Sequence, residues 1–412
     1  METTAATVAR QPGGLSRPSA AKRSVPTSTL PAARELSFGF VGTYPPTKCG
    51  IATFNMSLAN AIAQSPSHHR VGVVSSVDKP RGRYPPEVVA QLVRGSRASV
   101  EATAAALNGF DIVVVQHEFG IYGGVDGCEI VDLVERLGVP VIVVLHTILA
   151  SPSPNQRVIV EALEAIAGCV VLQSYAARSR LLATHVVAPD RLYVIPHGAP
   201  LNLAGDAPRP KHGRRPVVLT WGLIGPGKGI EFAIEAMVQL RDLSPLPRYL
   251  VLGQTHPRVL ASEGEAYRES LVAKVKALEV EDVVEFRDVY LKPRSILAAI
   301  RAADVVLLPY LARDQVVSGV LVEAIASGKP VVATRFPHAV EMLGQSSGVL
   351  VPHEDREAIA TALRSVLTDN DLAARMAAVA RGQAPPLAWD TVGAAYLRLA
   401  HMLVPSNAEV GC

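Results

Sequence analysis

The chain has 412 residues, 49% hydrophobic and 19% charged, a balance that suits a well-cored globular protein of two domains and excludes disorder over most of its length. A formal net charge of +3 provides no concentrated basic face, so nucleic acid is not an expected partner. Cys49, Cys128, Cys169 and Cys412 form neither a C-x-x-C pair nor a disulfide framework, which points to a reducing, cytoplasmic compartment.

Residues 1–35 are rich in Ala, Pro, Ser, Thr and Arg without an apolar segment, and read as a disordered tail, not a secretory signal. From Leu36 onward, short apolar runs alternate with longer amphipathic ones. Strands are expected at 38–42, 71–75, 112–116, 139–145, 168–172 and 192–195, with helices at 51–63, 127–137 and 156–167. Continuous Val and Ile runs mark strands buried on both faces, and their alternation with helices implies a doubly wound parallel sheet. Pro, Gly and charge break the rhythm at 199–215 (APLNLAGDAPRPKHGRR), the expected boundary between two lobes. The alternation then restarts, with strands at 217–221, 249–252, 283–286, 304–308, 330–334 and 348–351 and helices at 229–240, 266–278, 293–302, 320–327 and 356–367. The expected fold class is α/β: two Rossmann-like, doubly wound parallel-sheet lobes, 36–205 and 206–387, facing each other across a cleft. The segment 388–412 supplies a last helix that packs back on the first lobe. No apolar run reaches the roughly 18 residues of a spanning helix.

Ligands of open parallel sheets sit outside the carboxyl ends of the strands, so the loops after each strand carry the candidate chemistry. TWGLIGPGKG (220–229) follows a strand and opens a helix, where free N–H groups, close backbone approach and Lys228 suit an anion. A P-loop would place a hydroxyl residue after the lysine; Gly229 stands there, which removes the magnesium ligand of an NTPase. A tight turn with an exposed lysine is the plainer alternative.

DQVVSGVLVEAIASGKPVVAT (314–334) carries one acid, Glu323, in an otherwise apolar helix. A carboxylate there needs partners, and a ribose diol is a suitable one; a side chain reaching solvent at the rim is the alternative. The helix-start residues Ser318, Gly319 and Val320 offer amides suited to phosphate. In the first half, DIVVVQHEFGIYGG (111–124) ends a buried strand at His117 and Glu118; Ile121 excludes an H-E-x-x-H zinc site, and His117 is either functional or structural. GTYPPTKCGIATF (42–54) forms a loop shaped by two prolines and Gly50, facing the cleft or lying on the surface. His146 and His197 add polar groups at the same sheet end.

Together these blocks resemble family 4 of the glycosyltransferases, retaining enzymes of the two-Rossmann GT-B fold, and within it the mannosyltransferase-like branch. The resemblance runs through TYPPTKCGIATF, VQHEFGIYGG, GLIGPGKGIEFAIEAM, THPRVLASEGEAYRESL, ADVVLLPY and SGVLVEAIASGKPVVATRFPHAVEML, across 38–350. It implies that Lys228 meets the donor diphosphate, Glu323 the ribose hydroxyls and His117 the sugar and acceptor, while Gly50 faces the phosphates. Two departures stand out. Gln315 replaces the first acid of the family's E-x7-E motif, and Leu223 replaces the arginine that usually precedes the lysine.

The expected activity is transfer of a hexose, mannose from GDP-mannose in the first instance, to a carbohydrate or glycolipid hydroxyl, without metal. The rival readings are a sugar-nucleotide epimerase of the same fold and a binding subunit that has lost catalysis. A lipid-linked acceptor would bring the chain to the inner face of the membrane as a peripheral protein.

Overall fold

The computed structural model describes residues 35–203 and 214–405. All but the last residue of the expected tail at 1–35, the middle of the expected boundary at 199–215 and the end of the 388–412 segment lie outside the described residues.

Among the described residues, thirteen strands fall into two all-parallel sheets. The first holds β1 (Ser37–Gly42), β2 (Arg70–Val77), β3 (Val88–Val93), β4 (Ile112–His117), β5 (Val141–Leu145), β6 (Cys169–Leu172) and β7 (Leu192–Val194), in the order β3-β2-β1-β4-β5-β6-β7. The second holds β8 (Val217–Trp221), β9 (Arg248–Leu252), β10 (Val284–Arg287), β11 (Val305–Leu308), β12 (Val331–Thr334) and β13 (Gly348–Val351), in the order β10-β9-β8-β11-β12-β13. Each sheet reverses its winding beside its own first strand, so a crevice opens at the carboxyl ends of β1 and β4 and another at those of β8 and β11. Every residue of β4, β5 and β8 is buried, as expected for Val- and Ile-rich strands covered on both faces.

The sequence reading omits β3 and the helix Arg97–Leu107 that follows it. VVAQLV is an edge strand whose middle residues are partly exposed, so its apolar signal is diluted. The helix Tyr175–Thr184 is masked by two arginines, and the short helix Pro337–Leu343 begins in a loop-like Phe-Pro pair. The helix expected at 127–137 shortens to Glu129–Val134 behind a single 3-10 turn, because two positive-φ glycines, Gly124 and Gly127, precede it.

Among the contacts that set the lobes against each other, three are the most extensive. The chain leaves the first lobe at Ala199 and re-enters it at Ala388, and these crossings lie side by side: Ala199 N–H donates to Leu387 C=O at 2.7 Å. The final helix, Trp389–Leu403, then packs on the helix Gly50–Ala63, so closely that a Cβ on Gly393 would stand 3.1 Å from that of Ala61. Val392, Tyr396, Leu399 and Ala400 of this helix join Phe38, Phe40, Phe54 and Ile62 in one core. Finally, the loop after β11 reaches over to the first lobe. Val316 is buried in that lobe's core, its C=O accepts from Ser174 Oγ at 2.7 Å, and Glu341 takes the N–H groups of Tyr175 and Ala176 at 3.0 and 2.8 Å. A carboxylate at a helix N-terminus satisfies orphan donors and meets the positive end of the helix dipole.

The Tyr396 hydroxyl is buried without a hydrogen-bond partner among the described residues. Because an unmet buried hydroxyl carries a desolvation cost on the order of 1 kcal/mol, Tyr396→Phe should leave the melting temperature unchanged or raise it. A clear fall in a thermal melt would show that the hydroxyl is partnered.

Candidate active site

A cleft of about 450 Å³ opens between the carboxyl ends of the two sheets. Of the expected residues, Gly50, Lys228, Gly319, Val320 and Glu323 line it; His117, Gln315 and Ser318 do not.

Its second-lobe wall is built by glycines that let backbone pack on backbone. Gly222 and Gly253, after β8 and β9, have φ of +122° and +146°, and a Cβ on Gly253 would stand 1.7 Å from Gly222 C=O. Gly229 has φ +63° and lies against Pro309, where a Cβ would meet the carbonyl oxygen at 1.9 Å. The fold therefore has no room for the hydroxyl residue that a P-loop needs there. Lys228, half-buried in the turn before it, holds its ammonium 4.1 Å from the ring centroid of Tyr310, which in turn stacks on Phe336. The aromatic face steadies the charge without neutralising it, leaving it for an anion.

Ser318 caps the helix Gly319–Ala326: its Oγ accepts from Leu321 N–H at 3.3 Å, while its own N–H donates to His338 Nδ1 at 2.8 Å. Of the amides expected to meet phosphate, that of Ser318 is thus engaged inside the protein. Gly319 and Val320, half-buried, line the cleft, and Gly319 is required because a Cβ would come 2.9 Å from His197 Nε2. One turn on, Glu323 accepts from Trp221 Nε1–H at 3.1 Å, a bond between residues far apart in the chain. Burial pushes its carboxyl up to about 7, and the indole N–H offsets only part of that.

The first-lobe wall consists of Cys49, Gly50, Thr53, Phe54 and Ser57 after β1, with His197 and Trp389. The Phe54 ring stands edge-on to His197 at 4.9 Å and to Trp389 at 5.3 Å. His197 Nδ1 lies 2.7 Å from Gly198 C=O, and burial lowers this imidazole to about 4, so it is neutral near pH 7.

His117 ends β4 fully buried, with no partner for either ring nitrogen among the described residues; its ring packs edge-on against Phe119 at 4.9 Å. Burial lowers it to about 4, so it is a neutral imidazole near the cleft but closed off from it. Gln315, expected at a sugar hydroxyl, instead turns its Nε2 to Val317 C=O at 2.9 Å. The anchoring of Val316 in the first lobe's core holds the loop in that turn. His146 is structural: its Nδ1 accepts from Gln173 Nε2 at 3.0 Å and its Nε2 donates to Gln116 Oε1 at 2.8 Å. The sequence reading misses Trp221, Tyr310, Gln254 and Trp389, all in or beside the cleft. Trp221 and Tyr310 stand within quoted motifs, but no spacing shows where their rings turn.

Both lobes have known relatives. Residues 49–203 match the family described as Glycosyltransferase Family 4, and residues 206–383 that described as Glycosyl transferases group 1. The chain belongs to the family 4 glycosyltransferases. The curated relatives of this family 4 chain include D-inositol 3-phosphate glycosyltransferases. That of Segniliparus rotundus is 31% identical over 236 residues, 53% of this chain and 51% of the relative. That of Kineococcus radiotolerans is 28% identical over 307 residues, 66% and 68% of the respective chains. Among solved structures, HepE of Anabaena in complex with UDP and glucose superposes with a TM-score of 0.71 at 19% identity, covering 90% of this chain and 100% of that one. Sucrose-phosphate synthase of Thermosynechococcus elongatus gives 0.70 at 18% identity, covering 90% and 99%. These superpositions show the GT-B fold.

Glu323 makes stability depend on pH in a predictable direction. Its folded pKa lies above that of an unfolded glutamate, so the stabilisation is present below about pH 4.5 and is lost as pH rises through about 7. The lowered histidines act oppositely, but they are common to wild type and variant. Glu323→Gln, which keeps an acceptor for Trp221, should therefore match wild type near pH 5 and melt a few degrees higher at pH 8, for a difference on the order of 1–3 kcal/mol. Equal melting temperatures at both pH values would contradict a carboxyl raised by desolvation.

Proposed function

We propose that this chain is a retaining glycosyltransferase that moves a hexosyl group from a nucleoside-diphosphate sugar to a carbohydrate, glycolipid or phosphorylated polyol hydroxyl. The observation that carries it is the pairing, on one wall of the cleft, of an ammonium with no carboxylate partner among the described residues and a half-buried carboxylate with a single donor among them, the Trp221 indole. An anion and a diol, both carried by a nucleoside diphosphate, are the ligand groups that satisfy them. The names of the relatives support the transferase reading, and that of the inositol 3-phosphate enzymes adds the polyol to the acceptor classes.

In the transfer, the bond between sugar C1 and the diphosphate oxygen breaks and the electron pair leaves with the diphosphate. The acceptor oxygen bonds to C1 on the same face, and its proton passes to the departing phosphate oxygen. Lys228, with the amides of the turn before it and of Gly319 and Val320, stabilises the charge as it develops. Glu323 holds the ribose, and Gly50 lets the first-lobe backbone approach the phosphates. His117 acts as a neutral hydrogen-bonding group to the sugar once Phe119 moves aside. The expected donor is GDP-mannose, with UDP-glucose as the other candidate, and the reaction needs no metal.

A thermal-shift screen against GDP, UDP and ADP and their hexose conjugates should give one clear stabilised pair, because ligand binding raises apparent stability by mass action. With the matching donor and an acceptor panel, activity should persist in EDTA, and Lys228→Ala should lower kcat/KM by about 100-fold. C2 isomerisation of the donor without acceptor would mark an epimerase instead. Nucleotide binding without turnover on any acceptor would mark a binding subunit.

A further inference from the structure

Among the described residues, Lys228 is the one lysine or arginine of the second lobe that lines the main cleft. Leu223 stands where the family's arginine would be, and a pyrophosphate ester carries more charge than one ammonium balances. Beside Leu223 lies a second cavity of about 360 Å³, lined by Leu223, Gln254, Thr255, Glu265, Asp288 and, from the first lobe, Lys48. Leu223 and Gln254 also line the main cleft, so the two spaces adjoin through these side chains.

Lys48 belongs to the loop between β1 and the helix Gly50–Ala63 and reaches across to the other lobe. Its Nζ donates to Gln254 Oε1 at 3.0 Å and lies 5.3 Å from the ring centroid of Tyr290. No carboxylate pairs with it among the described residues. The two acids of that cavity are already engaged by Arg268, Glu265 at 3.3 Å and Asp288 at 3.5 Å. Lys48 is thus an ammonium held by a neutral amide and a ring face, partners it can exchange for phosphate oxygens at little cost.

We propose that Lys48 is the second cation on the donor diphosphate, supplied from the first lobe to the position that Leu223 leaves uncharged. Charge on the phosphates then rests on Lys228 from one wall and Lys48 from the other.

This inference rests on the nucleotide-sugar reading, and the experiment separates the two. Wild type and Lys48→Met are compared by calorimetry and thermal shift with UDP, GDP, uridine and guanosine, and the double variant Lys48→Met/Leu223→Arg is added. Lys48→Met should weaken the preferred diphosphate by about tenfold or more while leaving its nucleoside within twofold, as expected for one lost charge-assisted contact. Leu223→Arg in that background should restore most of the loss. Unchanged diphosphate binding, equal loss of nucleoside and diphosphate (the mark of a mere latch between lobes), or no recovery in the double variant would each overturn it while leaving the nucleotide site in place. If neither diphosphate binds wild type, the functional reading falls and this inference with it.

Discussion

Glu323 carries a carboxylate into a helix whose neighbouring residues Leu321, Val322, Ala324, Ile325 and Ala326 are buried, and Trp221 supplies its hydrogen-bond donor. A charge so placed is costly unless further donors arrive, and its carboxyl rises to about 7 in consequence. The surroundings are shaped to let those donors in. Gly222 and Gly253 thin the backbone at the ends of β8 and β9, and Gly319 clears the approach under His197. On the proposed reading, a ribose diol would supply those donors, and the stability lost by placing the acid there would return as affinity for the nucleotide.

The aromatic residues distribute themselves around this demand. Trp221 donates to the acid, Tyr310 carries the Lys228 ammonium, Tyr290 lies under Lys48, and Phe54 and Trp389 form an apolar wall with a neutral His197. Rings can hold a cation without discharging it, so the cleft keeps its charge where an ion pair would have cancelled it. Among the described residues no helix is long and apolar enough to cross a membrane.

Local order was legible in the sequence. The strand–turn–helix loops, the absence of a P-loop hydroxyl at Gly229, the buried parallel strands and the final helix follow from short-range rules of period, glycine and proline placement. What escaped reading is long-range. Nothing in a single chain ties Trp221 to Glu323, Lys48 to Gln254 or Val316 to the first lobe's core. That last contact redirects Gln315 inward, and the covering of His117 by Phe119 likewise depends on packing, although the position of His117 at the end of β4 was plain. Ser318 was placed correctly at a helix start, but its role as a cap competes with a ligand for the same atoms. The missed edge strand β3 and its helix failed for an energetic reason: half-exposed elements need less apolar signal to be stable in context.

The helix Trp389–Leu403 completes the core of the first lobe, yet the whole second lobe is translated before it. At ordinary synthesis speeds that interval is roughly 10–40 s. Through it the first-lobe cluster around Phe38, Phe40, Phe54 and Ile62 lacks the share of its packing that Val392, Tyr396, Leu399 and Ala400 supply. The ribosome-bound protein thus passes through a long-lived half-molecule, a natural client for chaperones, and truncation near the carboxyl end would damage the amino-terminal lobe first.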